Sequence, residues 1–169
     1  MTEPAHLAVF TNGRQVNRQS TKVTQLAEVA SGCGYAVLIP EFSFSNDPRE
    51  RLAHLLALKP RATHTLVLVG ASMGAYVSAM ACATLQPQAL FLMAPALYFP
   101  QWNEEPEGIP NPTTVVHGWR DAVVPVERSQ RFAARHRAAL HVLDAGHTLT
   151  EELPLVECLL ESQLNAVRR

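Results

Sequence analysis

Ser72 lies near the middle of the chain between two glycines, in the segment Gly70-Ala71-Ser72-Met73-Gly74. The apolar run HTLVLVG leads into it and a segment of helical period follows, an order typical of a tight strand-to-helix turn that exposes a serine hydroxyl. Such a turn lies at the carboxyl edge of a sheet, where open α/β sheets bind ligands. The pattern predicts that Ser72 is a nucleophile. The alternative is a glycine-permitted turn whose serine only caps the helix.

A serine hydroxyl is a weak nucleophile, so it needs a base to take its proton and an acid to orient that base. Of the seven histidines, His147 follows a predicted strand and a glycine in the segment DAGHTL, on the same sheet edge as Ser72. Asp121, in the segment VVHGWRDAVVP, comes just after another predicted strand on that edge. These positions predict a Ser72–His147–Asp121 triad. A surface-loop histidine and a turn-forming aspartate are the alternative interpretations.

Residues near this predicted triad receive supporting roles. His117 shares a segment with Asp121 and is interpreted as a structural neighbour rather than the base. Asp144 comes at the end of a predicted strand and is interpreted as a turn residue. The backbone N–H of Met73 lies at a predicted helix N-terminus, where it can face a developing negative oxygen. Met73 is therefore a predicted oxyanion-hole residue.

The segments that must position these residues alternate between short apolar runs and longer runs with apolar residues at helical spacing. This alternation predicts an α/β fold with a parallel sheet and crossover helices. The predicted strands lie at 7–11, 35–40, 64–70, 89–95, 113–119 and 139–145. The predicted helices lie near 21–31, 47–58, 75–85, 126–136 and 154–167, and a proline-rich irregular segment spans 95–112.

Formal charge is absent from the middle of the chain. No charged residue occurs between Arg61 and Glu104, which predicts that the third and fourth strands, with the helix joining them, form the centre of the fold. The run from Leu66 to Ala83 is only marginally long enough for a membrane span. Its two glycines and the surrounding alternation of strands and helices argue against that interpretation, so no membrane partner is expected.

Length and composition limit the remaining classes. The 169 residues predict one domain, 1–169, with no separate cap domain. The net charge is −1 and the basic residues form no block, so nucleic acid is not an expected partner. No metal-ligand cluster or dinucleotide fingerprint is apparent in the sequence, so no metal and no cofactor are expected. The oligomeric state is left open.

Cysteine usage bears on the compartment. Cys33, Cys82 and Cys158 are odd in number and far apart, which predicts buried free thiols in a reducing environment. The N-terminal segment MTEPAHLAVFTNG lacks the basic flank, long apolar core and cleavage site of a signal peptide. A cytoplasmic location is the resulting expectation.

Taken together, the motifs resemble the α/β-hydrolase superfamily in its Ser–Asp–His chain order. They are Gly70-Ala71-Ser72-Met73-Gly74, then His117-Gly118-Trp119-Arg120-Asp121 with Val124-Pro125, then Gly146-His147. The resemblance covers nearly the whole chain and is greatest to small, lidless bacterial serine hydrolases and esterases. It implies a three-layer sandwich with a six-stranded, mainly parallel sheet in the order 2-1-3-4-5-6 and helices on both faces.

One segment departs from the family's pattern. Family members usually carry His-Gly-x after this first strand, and an amide of that loop completes the oxyanion hole, whereas the matching stretch here is Asn12-Gly13-Arg14. A backbone donor needs no particular side chain, so the resemblance implies that the Arg14 amide is the second oxyanion donor. The Arg14 side chain at the mouth of the site could clamp an acidic substrate or obstruct an apolar one.

The triad and the resemblance together predict a serine hydrolase that cleaves a small acyl ester or thioester through an acyl-enzyme intermediate. The segment 95–112, where larger family members insert a cap, favours an open site for a small-molecule acyl substrate, with Tyr98, Phe99 and Trp102 as candidate wall residues. Hydrolysis of an amide or peptide, or a perhydrolase-like exchange, on the same triad is an alternative.

A second alternative belongs to another class, a non-catalytic binding module that keeps the fold. The Asn12-Gly13-Arg14 departure and the acidic residues Glu104, Glu105 and Glu107 support it. The presence of all three triad residues argues against it.

Overall fold

The structure is a computed structural model that describes residues 2–13 and 21–168. Its single sheet contains six strands: β1 (His6–Thr11), β2 (Ala36–Leu38), β3 (Thr65–Ala71), β4 (Ala89–Met93), β5 (Thr113–Gly118) and β6 (Ala139–Leu143). All pairings are parallel and the spatial order is β2-β1-β3-β4-β5-β6. This order and the parallel pairing confirm the predicted topology.

The centre of the sheet lies in the uncharged part of the chain. Strands β3 and β4 occupy the two middle positions, and every residue in both strands is buried. A strand covered by helices on both faces must be apolar throughout, because neither set of alternating side chains reaches water. The absence of charge between Arg61 and Glu104 is therefore explained by a central position in the sheet.

Within residues 2–13 and 21–168, five α-helices cover the sheet: α1 (Thr21–Gly32), α2 (Pro48–Leu58), α3 (Met73–Leu85), α4 (Val126–His136) and α5 (Leu153–Val167). Helices α1 and α5 share one apolar core with one face of the strands, where Leu26 and Leu160 are fully buried. Helices α2, α3 and α4 contribute to a second core on the other face. The three-layer sandwich is confirmed. Asp47 caps α2 by accepting a hydrogen bond from the Arg49 amide at 2.8 Å.

The run from Leu66 to Ala83, which raised the question of a membrane span, contains most of β3 and most of α3. Among the described residues, no helix combines the length and apolar character that crossing a bilayer requires. Helix α3 begins at Met73, two residues before the predicted start, because the turn after β3 leads directly into the helix. Strand β4 ends at Met93 rather than Pro95, because Ala94 takes a left-handed conformation with φ 43°.

The cysteine prediction is only partly correct. Cys33 and Cys82 are buried free thiols, whereas Cys158 is exposed, so the prediction for Cys158 is wrong. The buried residues of α5 include Val156 and Leu160, and Cys158 lies between them, about half a turn away on the solvent side of the helix.

Candidate active site

Ser72 occupies a strained turn between β3 and α3. Its backbone has φ 54° and ψ −118°, a combination that side-chain-bearing residues rarely adopt and that functional sites often hold. The Ser72 amide donates a hydrogen bond to the Met93 carbonyl of β4 at 2.9 Å, which ties the turn to the neighbouring strand. A Cβ at Gly70 would lie 2.6 Å from the Ala75 Cα, and a Cβ at Gly74 would clash with the Thr11 carbonyl. The two glycines therefore permit the close packing that this turn requires.

The three residues of the predicted triad lie in one hydrogen-bonded row. The Ser72 Oγ is 2.9 Å from His147 Nε2, and His147 Nδ1 is 2.7 Å from Asp121 Oδ2. The Asp121 side chain is fully buried and that of His147 is 21% exposed, so the row runs from the interior toward an open end. With an Nδ1–H donated to the carboxylate, Nε2 is left to accept the proton of the Ser72 hydroxyl. The sequence prediction that these residues come together agrees with the geometry.

The Asp121 carboxylate is held from two directions. Its Oδ1 accepts hydrogen bonds from the Val123 and Val124 amides, both at 2.8 Å, while Oδ2 receives His147. Burial by itself raises the pKa of the Asp121 carboxyl. The hydrogen bonds from Val124, His147 and Val123 outweigh burial and bring the pKa below its ordinary value. The carboxylate is therefore ionised at neutral pH and can orient the imidazole.

His117 contacts the Asp121 carboxylate in the protein interior. Its Nε2 donates to the Val124 carbonyl at 2.9 Å and lies 3.0 Å from Asp121 Oδ2, while its Nδ1 is 2.7 Å from the Ser129 Oγ of α4. In the neutral imidazole, Nε2 carries the proton and the Ser129 hydroxyl donates to Nδ1. The His117 side chain is fully buried and does not line the cavity at Ser72. It is a structural neighbour of the carboxylate rather than a base for Ser72, as the sequence suggested.

Met73 and Gly13 lie next to Ser72 and line the same cavity. Met73 is the first residue of α3, where a helix N–H has no intrahelical carbonyl to bond, and Met73 lines the same cavity as Ser72. Gly13 lies beside Ser72, since a Cβ built on it would be 3.3 Å from the Ser72 Cβ and 3.9 Å from the Ser72 Oγ. Arg14, the predicted second oxyanion residue, lies outside the described residues.

Arg51 is a residue near the site that the sequence interpretation missed. It projects from α2 and is only 3% exposed. Its Nη1 donates to the carbonyls of Asn12 and Gly13 at 3.2 and 3.1 Å, and its Nε donates to the Ser45 carbonyl at 2.7 Å. The guanidinium thus holds residues 12–13, which follow β1, against the start of α2. A charged residue facing the apolar side of a predicted helix was the only available signal.

A cavity of about 440 Å³ opens at Ser72. Its walls are mostly apolar and include Phe99 and Trp102 from the proline-rich segment, as the sequence suggested. Trp102 is fixed by a hydrogen bond from Nε1 to the Ala96 carbonyl at 2.9 Å, and Phe99 lies under the Arg128 guanidinium at 3.8 Å. Tyr98 does not line this cavity, because its hydroxyl turns away to donate to Glu105 at 2.9 Å.

The acidic residues of the proline-rich segment make contacts within the protein. Glu104 forms an ion pair with Arg49 of α2 at 2.9 Å and accepts a hydrogen bond from the Tyr76 hydroxyl at 3.3 Å. Glu105 is 2.8 Å from His136 Nε2 of α4. These two carboxylates anchor the segment to α2, α3 and α4, so they give no support to an acidic docking patch.

Comparison with solved structures concerns the fold that carries this site. A protein from Xanthomonas campestris pv. campestris, described as belonging to the α/β superfamily of hydrolases, matches with a TM-score of 0.84 and 28% identity over 95% of this chain and 99% of its own. The chain belongs to the α/β-hydrolase superfamily. No protein-family model and no curated protein matches it significantly.

Two further solved structures share the α/β-hydrolase fold at lower identity. One is a Xanthomonas campestris protein described as an α/β serine hydrolase without a lid, with a TM-score of 0.74 and 22% identity over 98% of this chain and 83% of that one. The other is an esterase from Pyrococcus furiosus, with a TM-score of 0.77 and 18% identity over 98% of this chain and 84% of that one. At these identities the likeness concerns the fold alone.

Proposed function

We propose that this α/β-hydrolase is a serine hydrolase that cleaves small acyl esters or thioesters, with Ser72 as nucleophile, His147 as base and Asp121 as orienting acid. The observation that carries the proposal is the row of hydrogen bonds from Ser72 Oγ through His147 to Asp121, at 2.9 and 2.7 Å. The strained backbone of Ser72 adds support, because strain of this kind persists where it serves a site.

The reaction proceeds in two acyl transfers. In the first, Ser72 Oγ bonds to the acyl carbon while His147 Nε2 takes the hydroxyl proton, and the alcohol or thiol leaves with that proton as its bond to the acyl carbon breaks. In the second, water attacks the acyl-enzyme, His147 takes a water proton, and that proton returns to Ser72 as the carboxylic acid departs. Asp121 holds the imidazole in the tautomer that both steps need.

The negative charge that develops on the carbonyl oxygen needs preorganised donors. The Met73 amide is one proposed donor, since it lies at the start of α3 beside Ser72. The Arg14 amide is the second, and the position of Gly13 next to Ser72 supports it. Each such donor contributes about a hundredfold to a thousandfold in kcat in comparable acyl-transfer enzymes.

The cavity suits a small acyl compound. A volume of about 440 Å³ with an apolar lining accommodates a compact organic ester, and the anchored proline-rich segment forms a wall in the place of a cap. The descriptions of two structural neighbours, a lidless serine hydrolase and an esterase, agree with this class of reaction. Whether the enzyme prefers an ester, a thioester or an amide depends on how the site accepts the leaving group, and a substrate panel measures that preference.

A fluorophosphonate probe tests the nucleophile directly. We expect the wild-type protein to be labelled at Ser72 and the Ser72→Ala variant not to be labelled. Ser162→Ala is the matched control, because Ser162 is an exposed residue of α5 far along the chain. Labelling that persists in folded Ser72→Ala, or that is absent from folded wild type, would overturn the proposal.

A panel of p-nitrophenyl esters, thioesters and anilides of increasing acyl length tests the reaction class. Turnover should require His147, and His147→Ala should reduce kcat by about a millionfold, because the serine then lacks its base. Turnover that survives in His147→Ala would contradict the triad. Stoichiometric binding without turnover of any compound would instead support the binding-module alternative.

A further inference from the structure

The cavity at Ser72 contains a cation that the proposed reaction does not use. Lys22 lies in the first turn of α1 and lines the cavity. Its ammonium donates a hydrogen bond to the carbonyl of Thr148 at 2.9 Å, which brings the positive charge next to the residue that follows His147. The ammonium therefore faces the same space as the catalytic serine.

The charge has no carboxylate partner in the cavity. No Asp or Glu from the described part of the chain lines it, and the surrounding wall residues are mostly apolar. Burial lowers the pKa of the Lys22 ammonium. A partly desolvated cation with one neutral hydrogen-bond partner is unfavourable, and an anion in the same space would offset that cost.

The cation and the aromatic wall lie on opposite sides of the sheet. Lys22 begins α1, which packs with α5 on one face of the sheet, whereas Trp102 packs against the core of the α2–α3 face. Ser72 is at the carboxyl end of the central strand β3, between these faces. A ligand that contacts both would have its charged group and its apolar group on opposite sides of the reacting carbonyl.

We propose that the substrate is an ester with an apolar group on one side of the scissile bond and a carboxylate on the other, with the Lys22 ammonium as the counter-ion of that carboxylate. The proposal rests on the proposed function. It narrows the substrate class from acyl esters in general to carboxylate-bearing esters. Recognition comes from the charge-assisted hydrogen bond at one end and apolar burial at the other.

Two isosteric compounds test this preference, benzyl hemisuccinate with a free carboxylate and its neutral amide, benzyl succinamate. We expect the wild-type kcat/KM to favour the carboxylate compound by about tenfold to a hundredfold, the range that a charge-assisted hydrogen bond supplies. Lys22→Met should abolish the preference and Lys22→Arg should retain most of it. The proposal would be overturned if the wild-type ratio of kcat/KM for benzyl hemisuccinate to kcat/KM for benzyl succinamate is near one, or if this ratio is unchanged in Lys22→Met.

The chain offers a matched control, because its only lysines are Lys22 and Lys59. Lys59 follows α2 and lines a separate cavity near the amino edge of the sheet, so Lys59→Met should leave the preference as in the wild type. If Lys59→Met lowers the ratio as much as Lys22→Met, the assignment to Lys22 is wrong.

Amine modification gives a readout that does not depend on catalysis. Trinitrobenzenesulfonate followed by mass spectrometry reports Lys22 and Lys59 separately in the Ser72→Ala protein. Benzyl hemisuccinate should protect Lys22 and not Lys59, and benzyl succinamate should protect neither. If benzyl hemisuccinate protects Lys22 but the fluorophosphonate probe does not label Ser72 in the wild-type protein, the proposed function is contradicted and the anion site is supported. If the probe labels Ser72 but benzyl hemisuccinate does not protect Lys22, only the anion site is contradicted.

Discussion

The two sides of Ser72 are held in different ways. On the β5 side, the Asp121 carboxylate is held by residues close to it in sequence. On the β1 side, the Asn12 and Gly13 carbonyls are held by Arg51, which comes from another part of the chain. Asp121 is bonded by amides two and three residues later, and His117 lies four residues earlier. Arg51 is 38 residues from Gly13. The acid side of the site is thus locally organised, and the side where we propose the oxyanion hole depends on tertiary packing.

The two sides differ in how much support remains after one contact is lost. Loss of one contact on the acid side leaves several short-range hydrogen bonds that still hold the carboxylate. Loss of Arg51 removes the donor that two successive carbonyls of one loop share. We expect disturbance of the oxyanion side to reduce turnover more than disturbance of the residues behind Asp121.

Among the changes that test this contrast between the two sides, Arg51→Met should have the largest effect. Buried carbonyls left without donors should destabilise the fold by about 3 kcal/mol, and movement of the loop after β1 should reduce kcat by about tenfold to a hundredfold. Thermal unfolding and steady-state kinetics on a p-nitrophenyl ester measure both. Arg49, two residues earlier on α2, pairs with Glu104 at the surface, so Arg49→Met should leave stability nearly unchanged. A destabilised Arg51→Met with unchanged kcat would show that Arg51 supports the fold but not the oxyanion loop.

A smaller effect is expected from Ser129→Ala on the acid side. The variant removes the hydroxyl bonded to His117 Nδ1, which should cost about 1–2 kcal/mol of stability because that nitrogen is buried. The kcat should fall less than about tenfold, because the Val123 and Val124 amides still hold Asp121. The same unfolding and kinetic measurements apply, with Ser162→Ala as the surface control. A loss of kcat equal to that of Arg51→Met would break the contrast between the two sides.

The smallest effect concerns the pH dependence of stability. The folded pKa of Asp121 lies below its ordinary value of 3.8, so its carboxylate stabilises the fold above that pH, and this contribution is lost as the pH falls through the folded pKa. The stability advantage of wild type over Asp121→Asn should be largest near about pH 7 and should narrow below about pH 4. Denaturant unfolding at several pH values measures it. A stability difference between wild type and Asp121→Asn that increases as the pH falls would contradict the assigned environment of Asp121.

Several features were predictable because they depend on local pattern. Helix α4 spans Val126–His136, as the apolar spacing indicated, and the lack of charge between Arg61 and Glu104 located the central strands. Ser72, Asp121 and His147 were identified because the carboxyl ends of parallel strands meet at one edge of a sheet. Boundaries were less predictable, as β4 shows by ending at Met93 rather than at the predicted Pro95.

Other features could not be predicted because no local pattern encodes them. Arg51 is one charged residue among several on α2, and its role follows from the loop that packs against it. Cys158 was expected to be buried, and the rotation of α5 against the sheet decided otherwise. The acidic residues Glu104 and Glu105 supported the binding-module alternative, whereas in the structure they pair with Arg49 of α2 and His136 of α4.

The sequence by itself determined the alternation of strands and helices, the serine turn and the identity of the three residues in the hydrogen-bonded row, because each is specified by residues within a few positions or by the period of apolar side chains. The strand order was implied only by the resemblance to the α/β-hydrolase superfamily. Tertiary structure alone decided that the Lys22 ammonium faces the cavity at Ser72 and that a buried guanidinium holds the loop after β1. Those contacts join segments far apart in the chain, and their geometry depends on how helices α1 and α2 pack on opposite faces of the sheet.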